Sequence, residues 1–206
     1  MRKYILPILI TIVLISAQST SKAQDNIKSL FSYNYGIGFA TGDLKSYIDK
    51  KLFDGFSIEG RYFINKNISV GLNLGYNDFR KYFDRQDYPT TGGNISAVQT
   101  RYFNTVPVLA TGFYYLNSVS AFKPYAGIGI GAFVSNYQKY FSTLEFNKQT
   151  KTSFGLRPEI GTLINLKNGL GLIVSARYSY AAYSYEEFSS LNYFELNFGL
   201  SFSIER

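Results

Sequence analysis

Cysteine and histidine are both absent from this sequence of 206 residues. Their absence excludes catalysis by a serine–histidine or cysteine–histidine arrangement, because both need an imidazole as the base. It also excludes transition-metal sites built on imidazole or thiolate ligands. No disulfide can form, and no cysteine is available to carry an N-terminal lipid. The sequence therefore predicts no catalytic residue, no metal site and no cofactor, and we expect a protein that is not an enzyme.

Long hydrophobic runs are also missing from the sequence. The most apolar run lies at 5–15, and its 11 residues are too few to cross a bilayer as a helix. After it, no segment approaches the roughly 18 consecutive apolar residues that a membrane helix needs. A membrane-spanning helix is therefore not expected, but strands that alternate in polarity escape this test because their hydropathy averages to neutral.

The N-terminal segment predicts export. Arg2 and Lys3 precede the apolar run, and a polar stretch after it ends in Ser21-Lys22-Ala23, which resembles a signal-peptidase site. The alternative, a membrane-anchoring helix, is disfavoured because Pro7 interrupts the run. We expect residues 1–23 to be a cleaved signal peptide and residues 24–206 to form one domain. Cleavage lowers the formal charge from +7 to about +4, which gives little reason to expect an anionic partner and none to expect nucleic acid.

Alternation of apolar and polar residues with a period of two dominates the remaining chain and is typical of strands with two different faces. In the clearest segment, Ile68, Val70 and Leu72 alternate with Ser, Gly and Asn. Pro107 cannot donate to a ladder, so we expect a bulge in the fourth strand, whose register stays open. The pattern predicts eight strands, at about 30–41, 56–65, 68–79, 99–116, 124–134, 153–166, 170–180 and 191–204.

The connections between these strands alternate in length. Those at 65–67, 117–123 and 167–169 are short, whereas those at 41–55, 80–98, 135–152 and 181–190 are longer. Short turns at one end and long loops at the other are typical of outer-membrane barrels, with the short turns on the periplasmic side. The fold class that we predict is all-β, an eight-stranded antiparallel up-and-down transmembrane β-barrel.

A soluble barrel of the lipocalin kind also has alternating strands, so the polar face must decide between the two. A soluble surface carries many lysines and glutamates. Here every lysine after residue 23 lies outside the predicted strands, and the polar face is mostly Gly, Ser and Asn, which suits the filling of a narrow lumen. The 19 Tyr and 18 Phe, many near strand ends, indicate aromatic girdles at the two membrane interfaces.

One segment carries a family resemblance. It runs from Val106-Pro107-Val108-Leu109 through Tyr114-Tyr115-Leu116 to Phe122-Lys123-Pro124-Tyr125-Ala126-Gly127-Ile128-Gly129-Ile130-Gly131. A proline-containing strand, a short turn and a Pro-Tyr-x-Gly-x-Gly-x-Gly strand resemble the small bacterial outer-membrane β-barrel superfamily of OmpA-like and OmpX-like domains. The resemblance implies an integral protein of the Gram-negative cell outer membrane. It also implies lipopolysaccharide and other outer-membrane lipid as neighbours, and the barrel-assembly machinery as a partner during insertion. The aromatic terminal residue that often directs assembly is displaced here by Glu205-Arg206.

Six charged residues are predicted to point into the lumen, three of them acidic and three basic. Buried charges must be paired or hydrogen-bonded, so we expect an ion-pair network that fills and closes the barrel. Arg177 and Glu195 are expected to meet, because they lie at similar heights on neighbouring strands. The alternative is a gate or an ion site, which needs a water path through a barrel that is just wide enough for its own side chains. The six are Glu59, Arg61, Arg157, Glu159, Arg177 and Glu195.

The long connection at 80–98 combines basic and aromatic residues. It is predicted to contact lipopolysaccharide phosphates or an extracellular partner, although an ordinary mobile loop accounts for it about as well. The candidate contact residues are Arg80, Lys81, Tyr82, Phe83, Arg85 and Tyr88.

Two functions remain open from the sequence. The first is a closed barrel with a structural or surface-interaction role. The second is a porin-like transport role, in which a narrow channel conducts small or hydrophobic solutes with a lateral exit; it rests on the inward apolar residues Phe63, Phe133, Leu163 and Ile173.

Overall fold

The computed structural model describes residues 27–49, 51–90, 93–116, 121–142, 144–166, 168–186 and 188–205. The predicted signal peptide, 1–23, lies outside these residues. Within them, the chain forms eight strands and one short helix. These are β1 (Ile27–Thr41), α1 (Gly42–Tyr47), β2 (Lys51–Phe63), β3 (Ile68–Thr90), β4 (Gly93–Tyr115), β5 (Phe122–Phe141), β6 (Leu144–Asn165), β7 (Leu170–Ala181) and β8 (Leu191–Glu205).

The strands pair in sequence order and close into a barrel, so the predicted fold class is confirmed. Each strand is antiparallel to its neighbours, and closure comes from the pairing of β1 with β8, in which Ser32 lies opposite Ser201. Closure gives every barrel strand a partner on both sides, which removes the exposed edges that an open sheet would present within a membrane. Among the described residues, no helix is long and apolar enough to cross a membrane.

Alternation along each strand separates an apolar outer face from a polar inner face. On β3, Leu72 is 70% exposed and the adjacent Asn73 is 1% exposed. Phe198 on β8 is exposed on the outer face, whereas Asn197 beside it is buried. Large apolar residues therefore cover the outside of the barrel while Ser, Asn, Glu and Arg fill the inside, which is the arrangement of a barrel surrounded by lipid.

β3, β5 and β6 are much longer than the sequence predicted, and β4 begins six residues earlier. β3 and β4 each have 23 residues, about twice the roughly 9–11 that a tilted strand needs to cross the hydrocarbon core. The connections predicted at 80–98 and 135–152 are mostly strand, and Lys81, Lys139 and Lys151 lie within strands rather than in loops. We call the extension the projecting sheet: residues 77–90 of β3, 93–105 of β4, 135–141 of β5 and 144–151 of β6.

The bulge expected at Pro107 is not present, and the register of β4 is now defined. β4 pairs continuously with β5 from Gln99 to Tyr115. Its ladder with β3 is interrupted opposite Gly75 and Tyr76, but the register is the same on both sides of the interruption. Proline only removes a donor and leaves the strand extended. Its ring is accommodated because a Cβ on Gly75 would lie 3.0 Å from the Pro107 Cγ.

Candidate functional site

The lumen contains a belt of charged side chains at its middle. Each of its six members occupies an inward position of a strand and is between 1% and 4% exposed. Their inward placement follows from alternation along the strands, because the residues before and after each of them lie on the outer face. The charged belt consists of Glu59, Arg61, Arg157, Glu159, Arg177 and Glu195.

Four members of the belt form a closed quartet of alternating charges. Arg61 Nη2 lies 3.1 Å from Glu59 Oε2 and 3.4 Å from Glu159 Oε1. Arg177 Nε lies 2.7 Å from Glu159 Oε2, and Arg177 Nη2 lies 3.4 Å from Glu59 Oε2. Each arginine thus contacts both carboxylates, and the quartet joins β2 to β6 and β7 across the lumen. Its charges cancel within the group, as buried charges require.

Neighbouring side chains occupy much of the remaining hydrogen-bonding capacity of the quartet. Tyr125 donates to Glu159 at 2.7 Å, and Arg61 donates to the Tyr115 hydroxyl at 2.8 Å. The Arg61 guanidinium also lies 3.6 Å from the centre of the Phe113 ring, close enough for a cation–π contact. Further donors and acceptors come from the inner face: Ser57, Asn73 and Thr111. A site held this firmly by its own side chains fills the lumen.

Arg157 and Glu195 stand apart from the quartet. In the register of β7 and β8, Arg177 lies directly opposite Glu195, as expected for two residues predicted to meet. However, the ion pairs that the structure shows for Arg177 go to Glu59 and Glu159. When the side-chain amide of Asn77 is turned so that its nitrogen faces the acceptors around it, Asn77 donates to Glu195 Oε1 at 3.0 Å. Glu195 Oε2 and Arg157 Nη2 are buried without a hydrogen-bond partner in the described part of the chain.

Apolar clusters close both ends of the lumen. At the turn end, the Phe63 and Tyr115 rings are tilted toward each other with centres 5.1 Å apart, and they share a cluster with buried Leu163 and Ile173. We call this group the turn-end cluster; its members are Ile27, Leu30, Phe63, Phe113, Tyr115, Tyr125, Leu163 and Ile173.

The opposite end is closed by a larger group, the loop-end cluster. Here α1 and the segment after β7 fold over the mouth, so that Tyr47 stacks on Tyr137 at 4.9 Å and Phe188 lies 5.2 Å from Phe103. The four inward apolar residues that favoured a conduit in the sequence are all buried in one of these two clusters. The loop-end cluster contains Leu44, Tyr47, Ile48, Phe79, Phe103, Leu109, Phe133, Tyr137, Ala181, Tyr183, Phe188, Leu191 and Tyr193.

Asp43 of α1 joins the first long connection to the last. Its Oδ2 accepts hydrogen bonds from the Ser189 backbone N–H and hydroxyl, both at 2.7 Å, and from the Ser190 N–H at 3.2 Å. These donors favour the charged form and lower the pKa of Asp43, the backbone N–H of Ser189 having the largest effect. The contact holds α1 against the segment 182–190, and therefore holds the cover of the loop-end cluster together.

Replacing Asp43 with Asn should loosen this cover without unfolding the barrel. We expect several-fold faster hydrogen exchange at the Ser189 and Ser190 amides, because a neutral amide oxygen is a weaker acceptor than a carboxylate. Asp49→Asn, an exposed change in the same connection, is the control. Because the pKa of Asp43 is lowered on folding, its contribution is present above the usual aspartate pKa of about 3.9 and is lost as pH falls through the lower, folded value. Equal exchange in both variants would contradict the role of Asp43.

The six predicted contact residues lie on β3 and not in a loop, so the predicted loop was wrong. Their contact with lipopolysaccharide phosphates or an extracellular partner stays a prediction. Alternation puts Arg80 and Tyr82 on the outer face and Lys81 and Phe83 on the inner face of the projecting sheet. Arg80 is paired with Asp78 at 2.7 Å and is 57% exposed. The six candidates are spread along one strand, in which neighbouring residues point to opposite faces, so they do not form one patch. They are Arg80, Lys81, Tyr82, Phe83, Arg85 and Tyr88.

Two basic residues of the same inner face were missed by the sequence analysis. Arg101 lies opposite Lys81 in the β3–β4 register, and Lys139 lies opposite Arg101 in the β4–β5 register. They are far apart in sequence, and only the register of three strands brings them together.

The profile of the outer membrane protein beta-barrel domain family matches residues 9–203, which is most of the chain. The chain belongs to this family. The family resemblance predicted from the sequence is thereby confirmed, and the protein is an integral outer-membrane barrel. By the usual asymmetry of such barrels, we expect the short turns on the periplasmic side and the projecting sheet, α1 and the loop-end cluster at the extracellular end.

Solved outer-membrane barrels share this fold. Neisserial surface protein A (NspA) is 16% identical and aligns over 86% of this chain and 97% of its own, with a TM-score of 0.53. OprG from Pseudomonas aeruginosa is 12% identical and aligns over 89% of this chain and 100% of its own, with a TM-score of 0.51. No curated protein matches the sequence. Likeness at these identities shows the fold alone.

Proposed function

We propose that this protein is a non-enzymatic surface-interaction protein, whose closed barrel anchors the projecting sheet outside the cell. The observation that carries the proposal is the contrast between the two parts of the molecule. The lumen holds a buried charged belt between two buried apolar clusters. By contrast, the projecting sheet extends four strands beyond the barrel and has an exposed outer face and an edge of β3 that no described strand covers.

The filled lumen supports an anchoring role. A solute that passed along the axis would have to displace both aromatic clusters and then the charge quartet between them. An eight-stranded barrel is just wide enough for its own side chains, so these groups have no room to move aside together. Opening the quartet would also leave charges buried without partners, which is strongly unfavourable.

The projecting sheet supports a role in binding. β3 pairs with β2 from Ser69 to Tyr76. Beyond Tyr76, β4 is the one described strand with which residues 77–90 of β3 pair. β6 pairs with β7 only as far as Gly155. Above this point the segment 182–186 contacts part of its free side, through the Ala182 N–H to the Phe154 carbonyl, Lys151 to the Ser184 carbonyl and Asn147 with Tyr185 and Glu186. Unpaired strand edges recognise extended segments of other chains. A membrane anchor needs neither such an edge nor strands of this length.

A lateral conduit for hydrophobic solutes is the second candidate. The observation in its favour is the interruption of the β3–β4 ladder at Pro107, where the wall of the barrel has fewer cross-strand hydrogen bonds. The conduit would run from the extracellular mouth to this point, so it requires the loop-end cluster to open. Ion conductance and solute entry separate this candidate from a closed anchor.

The proposal predicts different results for the barrel and for the projecting sheet. Purified protein in planar bilayers should show no conductance steps, and liposomes carrying it should take up a hydrophobic fluorescent solute no faster than empty ones. A shortened variant, in which an Asn-Gly turn replaces residues 82–100, should fold into the same bilayers because it retains every barrel contact. Cells displaying it should adhere less to protein-coated and glycan-coated surfaces than cells displaying the full chain.

Either of two outcomes overturns the proposal. Solute entry that depends on the full-length protein would support the conduit. Adhesion that is equal for cells displaying the full chain and the shortened variant, at equal surface amounts, would show that adhesion does not need the β3–β4 part of the projecting sheet, which carries its uncovered edge.

A further inference from the structure

A row of three basic residues crosses the inner face of the projecting sheet. Lys81 of β3 is paired with Arg101 of β4, and Arg101 is paired with Lys139 of β5. We call these three residues the cationic row. Adjacent strands are about 4.8 Å apart, so the row places three positive charges within a span of roughly 10 Å.

The cationic row lies just above the mouth of the barrel. Residues two apart on a strand share a face, and the positions two residues below the row are Phe79, Phe103 and Tyr137. All three of these are buried in the loop-end cluster. The row is therefore on the side that continues the lumen, with an aromatic floor beneath it, and it points away from the lipid around the barrel.

The three cations lie directly opposite one another on neighbouring strands. Like charges directly opposite each other destabilise a pair of strands, and the ion pairs among the described residues include none of the three. At one end of the row, Asn147, the β6 partner of Lys139, donates to Glu186 at 3.0 Å. Three cations in line weaken the sheet that carries them, and a function in binding accounts for their placement.

Aromatic rings hold these cations in place. Lys81 Nζ and the Arg101 guanidinium lie 4.7 and 4.6 Å from the centre of the Phe83 ring, which stands between them. Arg101 also lies 4.8 Å from the Tyr47 ring and donates to the Tyr47 carbonyl at 3.2 Å. Lys139 lies 5.9 Å from the Phe141 ring. Rings fix the charged groups without cancelling their charge, and all three side chains remain partly exposed.

We propose that the cationic row binds a multivalent sulfated or phosphorylated glycan from outside the cell. Three charges at strand spacing match several anionic groups on neighbouring sugars, and a guanidinium binds such groups through two parallel hydrogen bonds. Phe83 and Tyr47 provide ring surfaces beside the charges on which a sugar packs. The inference rests on the proposed function, because it requires the projecting sheet to be displayed at the cell surface.

The position of the row favours an extracellular glycan over lipopolysaccharide as the ligand. Phosphates of the surrounding lipopolysaccharide are fixed at headgroup level around the outside of the barrel. They therefore meet the outer face, where Arg80 and Tyr82 lie, and not the inner face above the mouth. A chain that arrives from outside reaches the inner face directly.

Binding of dextran sulfate to the purified full-length protein in phosphatidylcholine nanodiscs tests the inference. The variant Lys81→Gln/Arg101→Gln/Lys139→Gln should bind at least roughly tenfold more weakly, as expected for the loss of charge-assisted contacts. The Kd should also depend less steeply on salt. A control variant that loses the same charge elsewhere, Lys28→Gln/Lys66→Gln/Lys148→Gln, changes three exposed lysines. It should bind within about twofold of the unchanged protein, because exposed charges away from the site contribute little. Arg101→Lys keeps the charge but loses the paired hydrogen bonds, and should bind with intermediate affinity.

Equal binding by the inner-face variant and the control variant would overturn the inference, as would equal binding of uncharged dextran. A third arm uses nanodiscs that contain lipopolysaccharide. If these nanodiscs abolish dextran sulfate binding to the unchanged protein, the row is already occupied by lipid phosphates, and the proposal that its ligand is a glycan is wrong. Gel mobility before and after heating checks that each variant is folded. If the row does not bind dextran sulfate, adhesion still depends on residues 82–100. If the proposed function is wrong, cells displaying the full chain and the shortened variant adhere equally.

Discussion

Replacing Arg177 with Met is expected to destabilise the barrel by about 3–5 kcal/mol, and by less if lumen water reaches the site. The quartet has two positive and two negative charges, so the loss of Arg177 leaves one buried carboxylate in excess. Glu159 loses its shorter ion pair, at 2.7 Å, and Glu59 loses one of its two arginine partners. Glu159→Gln should have an effect of similar size, because it leaves one buried guanidinium in excess.

The double variant Arg177→Met/Glu159→Gln should cost less than the sum of the two single variants. It removes one charge of each sign and leaves Arg61 paired with Glu59 at 3.1 Å. The coupling in such a cycle measures the interaction itself. Stability is read from urea unfolding in lipid bilayers. The matched cycle combines Arg177→Met with Glu195→Gln, the pair predicted from the sequence, and its coupling should be smaller because the two groups form no ion pair in the described structure.

Strict additivity of Arg177→Met and Glu159→Gln would contradict the quartet. A large rise in ion conductance in the single variants, without any loss of stability, would instead favour a gate over a filled lumen. Both measurements are made on the same bilayer preparations, so a variant that fails to insert is recognised before either is interpreted.

The sequence predicted the residues of this lumen but not their partners, and the reason is geometric. Alternation with a period of two decides which face a side chain occupies, so all six belt residues could be placed inward from sequence. Which of them meet depends on closure, which brings Arg61 of β2 across the lumen to Glu159 of β6. Height along neighbouring strands pointed to Arg177 and Glu195, but side chains as long as Arg177 reach past the nearest residue.

The projecting sheet was missed because the physical basis of the pattern changes at the membrane surface. Within lipid, one face of a strand must be apolar, and the alternation is clear. Above it both faces meet water, so a segment such as 144–151 carries Lys, Gln and Thr on either face and looks like a loop. The cationic row was missed for a related reason. The net charge of the chain is modest, and only the register of β3, β4 and β5 shows that three of its cations are adjacent.

Arginine at Leu72 should hinder insertion of the barrel into lipid by about 2–4 kcal/mol, the cost of a cation near the bilayer midplane. Leu72 is 70% exposed on the outer face, and it lies at the level of Gly60 on β2 and Ala110 on β4. Small neighbours offer an arginine no polar group to contact, so its charge must face the hydrocarbon or stretch toward an interface. Phe198→Arg at the middle of β8 should have a similar effect.

Two control variants separate a lipid-facing position from other causes of instability. Leu170→Arg is also an outward change, but it lies at the first residue of β7, beside a short turn, where the cost should fall to about 0–1 kcal/mol. Asn73→Arg changes the neighbouring inward residue, which donates to Glu59. Its cost comes from crowding and excess charge in the lumen, so it should be the same in thin and thick bilayers, whereas the cost at Leu72 should rise with thickness. If Leu72→Arg folds in lipid as readily as the unchanged protein, that face does not contact the membrane.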